Sequence, residues 1–363
     1  MNDTQSVLVF PAGMPDCQKW ALQASAMGVR VVGASSLPFD PAKDRYAEWT
    51  FLPWIRDPEF GEALGRCLRE KRIDAVYTSH PVVWPLLRDL LPKVAEHTRL
   101  ESERPWDSDF KDYRGYWAKA QGFLDRPLEI AVPACAPPVP AVQLASLVRM
   151  FQLVPGQCDF DKLEALLAVF RRMPPGDVVE VGSLWGRSAV ALAFLARHYG
   201  TGKLLCVDPW RDRELHQSIA EVDAISHALP IDEIFDAFRV NLAGFDGWVN
   251  YLRLPSTEAA DAYRREERVA TDDFGETAYQ GRIALLHIDG NHAIDAVRAD
   301  IAAWKPFVRH GGWIVFDDYH WPFGDGPAIA ADEFRLECGL RAGVAFVAGG
   351  ALFVQVDESL WKM

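Results

Sequence analysis

The stretch "DVVEVGSLWGRSAVALAFLARHYGTGKLLCVDPW", residues 177–210, reads in turn as strand, loop, helix and strand. Two short apolar runs, "DVVEV" and "KLLCV", flank "SAVALAFLARHY", which has a helix's length and is stopped by Gly200. A helix between two such runs makes a βαβ crossover, so the strands lie parallel and buried on both faces. The rhythm continues downstream through "WVNYLRLPS", "RIALLHIDGNH", a helix over 293–307, "GGWIVFDDYH", a helix over 328–337, and "VAFVAGGALFVQV". The "AGG" between the last two runs is a hairpin signal, which turns the final strand antiparallel to its neighbours. Upstream, "DFDKLEALLAVFRRM" places Leu163, Leu166, Leu167 and Phe170 on one helix face, with Asp159 or Asp161 as cap. The fold class is α/β, and this part is a doubly wound, mostly parallel sheet.

The first hundred residues alternate in the same way. "SVLVF", a helix over 16–27, "VRVVGAS", "YAEWTFLP", a helix over 58–71 and "DAVYTSH" predict a second, smaller Rossmann-like sheet. Between the two, aromatic and charged clusters give way to the proline-rich "VPACAPPVPAV", which favours extended backbone. The expected organisation is a Rossmann-like domain over 1–95, a linker region over 96–144 and a larger domain over 145–363.

Composition excludes several functions. Of 363 residues 49% are apolar, enough for two cores, and the net charge of −13 opposes nucleic-acid or anionic-membrane binding, both of which need a basic surface. The N-terminal "MNDTQSVLVF" lacks a basic region and a long apolar core, and no apolar run is long enough to span a bilayer. A cytoplasmic protein is expected, with room for a homo-oligomer. Six scattered cysteines form no C-x-x-C pair and read as reduced thiols.

In an open α/β sheet ligands bind beyond the C-terminal ends of the strands, so the loops there carry the chemistry. In "EVGSLWGRS", Gly182 and Gly186 admit close backbone approach, Ser183 lies between them, and a helix N-terminus opens near Ser188. Glu180 stands where a diphosphate would lie and would repel it, which favours a ligand without phosphates. Asp208, at the end of the next strand, is placed to accept hydrogen bonds from ribose hydroxyls. A ribose-bearing, phosphate-free, cationic cofactor fits S-adenosylmethionine better than NAD.

With "LLHIDGNHAIDAVRADIAAWKPFVRHGGWIVFDDYH" added to these loops, residues 145–356 resemble class I S-adenosylmethionine-dependent methyltransferases. The similarity is to the metal-dependent O-methyltransferase branch, which includes macrolide-sugar O-methyltransferases and cephalosporin-hydroxylase-like proteins. Leu184 departs from the pattern, standing where many members carry a second loop glycine. Asp289 ends a strand expected beside the one ending in Asp317 and Asp318, so three carboxylates converge at one sheet edge. Such crowding calls for a cation, and hard oxygen ligands point to Mg²⁺, with Mn²⁺ or Ca²⁺ as substitutes. The family pattern places metal ligands at these same positions. Asp317 and Asp318 can share one ion only if the chain turns out of the strand between them.

His292 follows Asp289 by three residues. An imidazole there suits removal of a substrate proton, and the resemblance implies that role; a helix-capping histidine is the plainer alternative. Trp210 or Ser256 could border the adenine, or be a buried ring and a helix cap. His287 reads as structural, His310 as a helix cap and His320 as a pocket residue; residues 263–282 suggest a solvated helix followed by a mobile lid. The resemblance implies a small-molecule acceptor, a sugar, polyol or natural-product hydroxyl, with a hydroxylase-like enzyme or a non-catalytic cofactor-binding subunit as alternatives. The first domain resembles the small unit preceding ATP-grasp ligases, on "VLVFPAG", "VVGASS", "YAEWTFLP" and "IDAVYTSH". No ATP-grasp pattern follows it, so a positioning or dimerisation role is expected.

Overall fold

The computed structural model describes residues 5–211, 223, 228–339 and 343–357. They divide into two units, with the boundary between Gly115 and Tyr116. None of the described helices is long and apolar enough to cross a membrane.

In the first unit, strands β1 (Ser6–Val9), β2 (Arg30–Ser35), β3 (Glu48–Phe51), β4 (Ala75–Tyr77) and β5 (Arg99–Leu100) form a parallel sheet in the order β3-β2-β1-β4-β5. Alternate residues face opposite sides, so Leu8 and Val32 join one core while Val9 and Val31 join another. Helices Pro15–Ala26, Phe60–Glu70 and Val83–Val94 cover it. The expected linker is partly structured: it holds a helix, Pro105–Asp125, that runs through the unit boundary, and Tyr116, Ala120 and Val139 join the core of the second unit.

Among the described residues, the main sheet of the second unit has seven strands: β6 (Asp177–Val181), β7 (Leu204–Val207), β8 (Val249–Leu252), β11 (Ile283–Ile288), β12 (Val308–Phe316), β13 (Ala345–Ala348) and β14 (Ala351–Gln355). Their order is β13-β14-β12-β11-β6-β7-β8, with β14 antiparallel to both its neighbours as the hairpin signal predicted. Val179, Leu286 and Ile314 face one helix layer. Val178, Leu285 and Val315 face the other, which includes Ala141–Leu153, Phe160–Phe170 and Arg187–Tyr199. By the same alternation Glu180 and His287, each two residues on from an apolar neighbour of this second layer, point into it.

Two sequence expectations change. Residues 263–282 are neither a solvated helix nor a lid: Ser256–Arg265 is followed by a hairpin of β9 (Arg268–Thr271) and β10 (Gly275–Ala278). Buried Asn250 donates to Val269 O and Gly275 O, both at 2.9 Å. Asp177, the first residue of β6, accepts from Tyr263 and from the N–H groups of Gln280 and Gly281. These anchors lie toward the N-terminal ends of the strands, away from the functional loops. His310 caps no helix; it sits in β12, exposed and paired with Asp357 at 3.1 Å.

Candidate active site

At the end of β6 the chain must turn sharply under the neighbouring strand. Gly182 has φ 84°, and a Cβ there would meet the backbone oxygen of Asp289 at 2.0 Å, so glycine alone fits. Leu184 adopts φ 43°, a backbone conformation that favours glycine. Gly186, also left-handed, precedes the helix that contains Ser188 in its first turn.

Asp208 holds this loop in shape. Its Oδ2 accepts from the N–H groups of Ser183 (3.1 Å) and Leu184 (3.0 Å), and its Oδ1 from Trp210 N–H (2.8 Å). Burial raises this carboxyl's pKa, and those N–H groups oppose the rise. The expected ribose carboxylate therefore has a prior duty to the loop, with one of about four acceptor positions to spare. Trp210 is 1% exposed, its ring packed on Phe235 and Phe238 and its Nε1–H donated to Leu184 O. The buried-ring alternative describes it, and not stacking on an exposed adenine. Ser256 opens a helix and accepts from Trp304 Nε1 at 2.9 Å, which makes it a helix-start residue.

The carboxylate cluster forms at the ends of β6, β11 and β12. Asp318 takes φ 51°, and this left-handed residue is the turn out of the strand that lets Asp317 and Asp318 serve one place. The ligating atoms of Asp289, His292 and Asp318 lie within 4.8 Å of one another, as do those of His287, Asp289 and Asp317. His292 Nε2 is 2.9 Å from Asp318 Oδ2, while its buried Nδ1 has no hydrogen-bond partner among the described residues.

Two cations answer the question of what neutralises Asp317. Lys162, 4% exposed, donates from Nζ to both oxygens of Asp317. His287 has Nδ1 3.1 Å from Glu180 Oε1 and Nε2 3.1 Å from Asp317 Oδ2. Carboxylates accept only, so both ring nitrogens carry hydrogen and the ring is an imidazolium. Burial works against that charge, but the hydrogen bonds to Asp317 and Glu180 push the pKa up to about 10. Burial would raise Asp317; the His287 hydrogen bond and Lys162 outweigh it and hold the carboxyl far below its usual range. Asp289 is the opposite case, raised well above the ordinary value by burial and then by the charge of Asp317.

Glu180 extends the chain of contacts to the loop after β6, accepting from Ser183 Oγ at 2.6 Å. The sequence places Glu180, Asp289, Asp317 and Asp318 at strand ends, and the structure brings them together. The sequence marks His287 only as structural and gives no part to Lys162. The available signal was a lysine in register with buried Leu166 and Val169, on the apolar face of Phe160–Phe170.

Residues 179–319 match the family model of a methyltransferase domain. No curated protein matches the chain. Among solved structures, the O-methyltransferase NovP is 15% identical over 69% of this chain and 100% of its own, with a TM-score of 0.37. A TDP-rhamnose 3'-O-methyltransferase of calicheamicin biosynthesis is 17% identical over 72% of this chain and 97% of its own, TM-score 0.37. The MycE methyltransferase of mycinamycin biosynthesis, solved with Mg, SAH and mycinamycin VI, is 18% identical over 50% of this chain and 45% of its own, TM-score 0.31.

Proposed function

We propose that the second unit, whose residues 179–319 match the family model of a methyltransferase domain, moves a methyl group from S-adenosylmethionine to a hydroxyl of a sugar, polyol or natural-product acceptor. A divalent cation, Mg²⁺ or Mn²⁺, is proposed at the cluster of Asp289, Asp317 and Asp318.

One observation carries the reading: a charge imbalance at the cluster. Among the described residues, Glu180 and Asp317 are matched by the buried cations His287 and Lys162. Asp289 is left over, Asp318 meets only the His292 ring at 2.9 Å, and Asp289 is ionised only at a cost, as its raised pKa shows. Two carboxylates without a buried lysine or imidazolium of their own, grouped with an imidazole nitrogen, suit a hard divalent ion. They are not the two-histidine, one-carboxylate set of an iron hydroxylase.

Bound S-adenosylmethionine supplies a methyl group on a positive sulfur, and a bound divalent ion lowers the pKa of a hydroxyl it touches. The protein's own part is to hold these in register. Gly182 lets the Asp289 backbone run against the cofactor loop, and Asp208 and the Glu180–Ser183 bond keep that loop in one conformation. Asp318 orients His292 through Nε2, which leaves Nδ1 as the atom able to accept the acceptor's proton. The acceptor class rests on the sequence resemblance.

The test is methyl transfer from labelled S-adenosylmethionine across a panel of sugars, polyols and catechols, with and without chelator. Turnover that chelation abolishes and Mg²⁺ restores supports the reading. Full turnover in excess chelator would remove the metal from it, and S-adenosylhomocysteine failing to bind would remove the activity altogether.

A further inference from the structure

The bonds of Asp317 go further than neutralising it. A carboxylate has about four acceptor positions, two on each oxygen. Here Oδ1 accepts from Lys162 Nζ at 2.5 Å and from Asp318 N–H at 2.8 Å, while Oδ2 accepts from Lys162 Nζ and from His287 Nε2 at 3.1 Å. Every position is in use. Lys162 is not an adaptable surface cation that happens to reach inward. It is fixed at the start of Phe160–Phe170, where its own N–H donates to the capping Asp159 at 2.8 Å. Gly349, in the β13–β14 hairpin, presses on the same turn: a Cβ there would come 2.5 Å from Lys162 N. Asp318, by contrast, meets His292 through Oδ2, and it groups with Asp289 and His292 independently of Asp317.

We infer that Lys162 is a positioning residue that withholds Asp317 from the cation, so that a divalent ion here is ligated directly by Asp289 and Asp318 while Asp317 supports it from beneath. The inference rests on the metal reading above and departs from the expectation that all three carboxylates are ligands. The built-in ammonium has a physical consequence. It supplies one of the charges the cluster needs, so the ion meets fewer protein ligands and keeps more of its water, leaving positions for an acceptor hydroxyl.

The experiment titrates the full chain with Mn²⁺, following free ion by electron paramagnetic resonance and counting Mn²⁺-bound waters by water-proton relaxation. The paired change Lys162→Met with Asp317→Asn removes both charges together, and it should keep Mn²⁺ binding to within the ~10–100-fold cost of altering a supporting partner. Asp289→Asn and Asp318→Asn should each cost more than the pair does. Lys162→Met alone frees Asp317, which should join the ion and displace water, lowering the bound-water count. The inference is overturned if the paired variant loses Mn²⁺ as completely as Asp289→Asn, or if Lys162→Met folds and leaves the water count unchanged. Should Lys162→Met not fold, the paired variant still decides. A wild-type chain with no saturable Mn²⁺ site would overturn the metal reading itself, and this inference with it.

Discussion

His292 and His287 lie five residues apart, and their surroundings assign them different work. His292 has one nitrogen on Asp318 and one with no hydrogen-bond partner among the described residues, the arrangement the proposed base requires. His292→Ala should lower turnover by about 10²–10⁴, the usual contribution of a general base, while S-adenosylhomocysteine affinity stays as it was. Steady-state kinetics beside calorimetry separates the two, and unaltered turnover would end the assignment. His287 is held as an imidazolium between two carboxylates and has no such freedom. Its pKa is raised to about 10 from an unfolded value near 6.5. The sign follows from linkage: the stabilisation is complete below the unfolded pKa and is lost as pH rises through the folded one. Stability should therefore decline from about pH 6.5 to pH 10. Urea midpoints across that range should fall more steeply for the wild type than for His287→Gln, and equal slopes would contradict the ion-pair assignment.

At the scale of elements, the β9–β10 hairpin shows how a polar sequence is tied down without an apolar core of its own. Asn250, fully buried in β8, supplies the hydrogens for Val269 O and Gly275 O, and its own oxygen accepts from Thr271 Oγ1 at 2.8 Å. Asn250→Ala removes these buried hydrogen bonds, each with a net worth of about 0.5–1.5 kcal/mol. Thermal unfolding should register the loss, whereas methyl transfer at a permissive temperature should be unaffected, because the hairpin hangs from the far end of the strands. A large fall in turnover with little fall in melting temperature would restore the lid reading. The β6–β11 crossing is less tolerant, since Gly182 there is held both by its positive φ and by the Asp289 backbone.

At the scale of the whole molecule, the residues assembled at the site, from Lys162 to Asp318, belong to the second unit. A chain of residues 105–363, which keeps the boundary helix intact, should bind S-adenosylhomocysteine as the full protein does. Calorimetry on that chain checks this, and lost affinity would mean that the first unit contributes to the cofactor site. The first unit is expected to bind no ATP. Its loop after β1 passes Gly13 close to Asp40, whose Oδ2 would be 2.9 Å from a Cβ at that glycine, and a carboxylate there repels phosphate. A thermal-shift response of residues 1–104 to ATP would contradict this.

The alternation of strands and helices, the antiparallel last strand and the strand-end positions of Glu180, Asp208, Asp289, Asp317 and Asp318 were all legible in the sequence. Each is a local matter of spacing, and spacing along the chain is what periodicity and turn residues record. A cap at Asp159 or Asp161 was legible for the same reason, and the structure gives it to Asp159. Only the tertiary structure decided how the charges pair. Lys162 lies 155 residues before Asp317, and they meet because β12 sits between β11 and β14, under the helix that carries the lysine. Trp210 likewise turned inward once Phe235 and Phe238 were there to receive it, although its position after Asp208 suited an adenine equally well. A carboxylate at a strand end announces that it needs a partner, but burial makes the choice of partner depend on every layer packed over it. That choice, between an ammonium built into the fold and an ion from solution, is made only when the sheet and its helices come together.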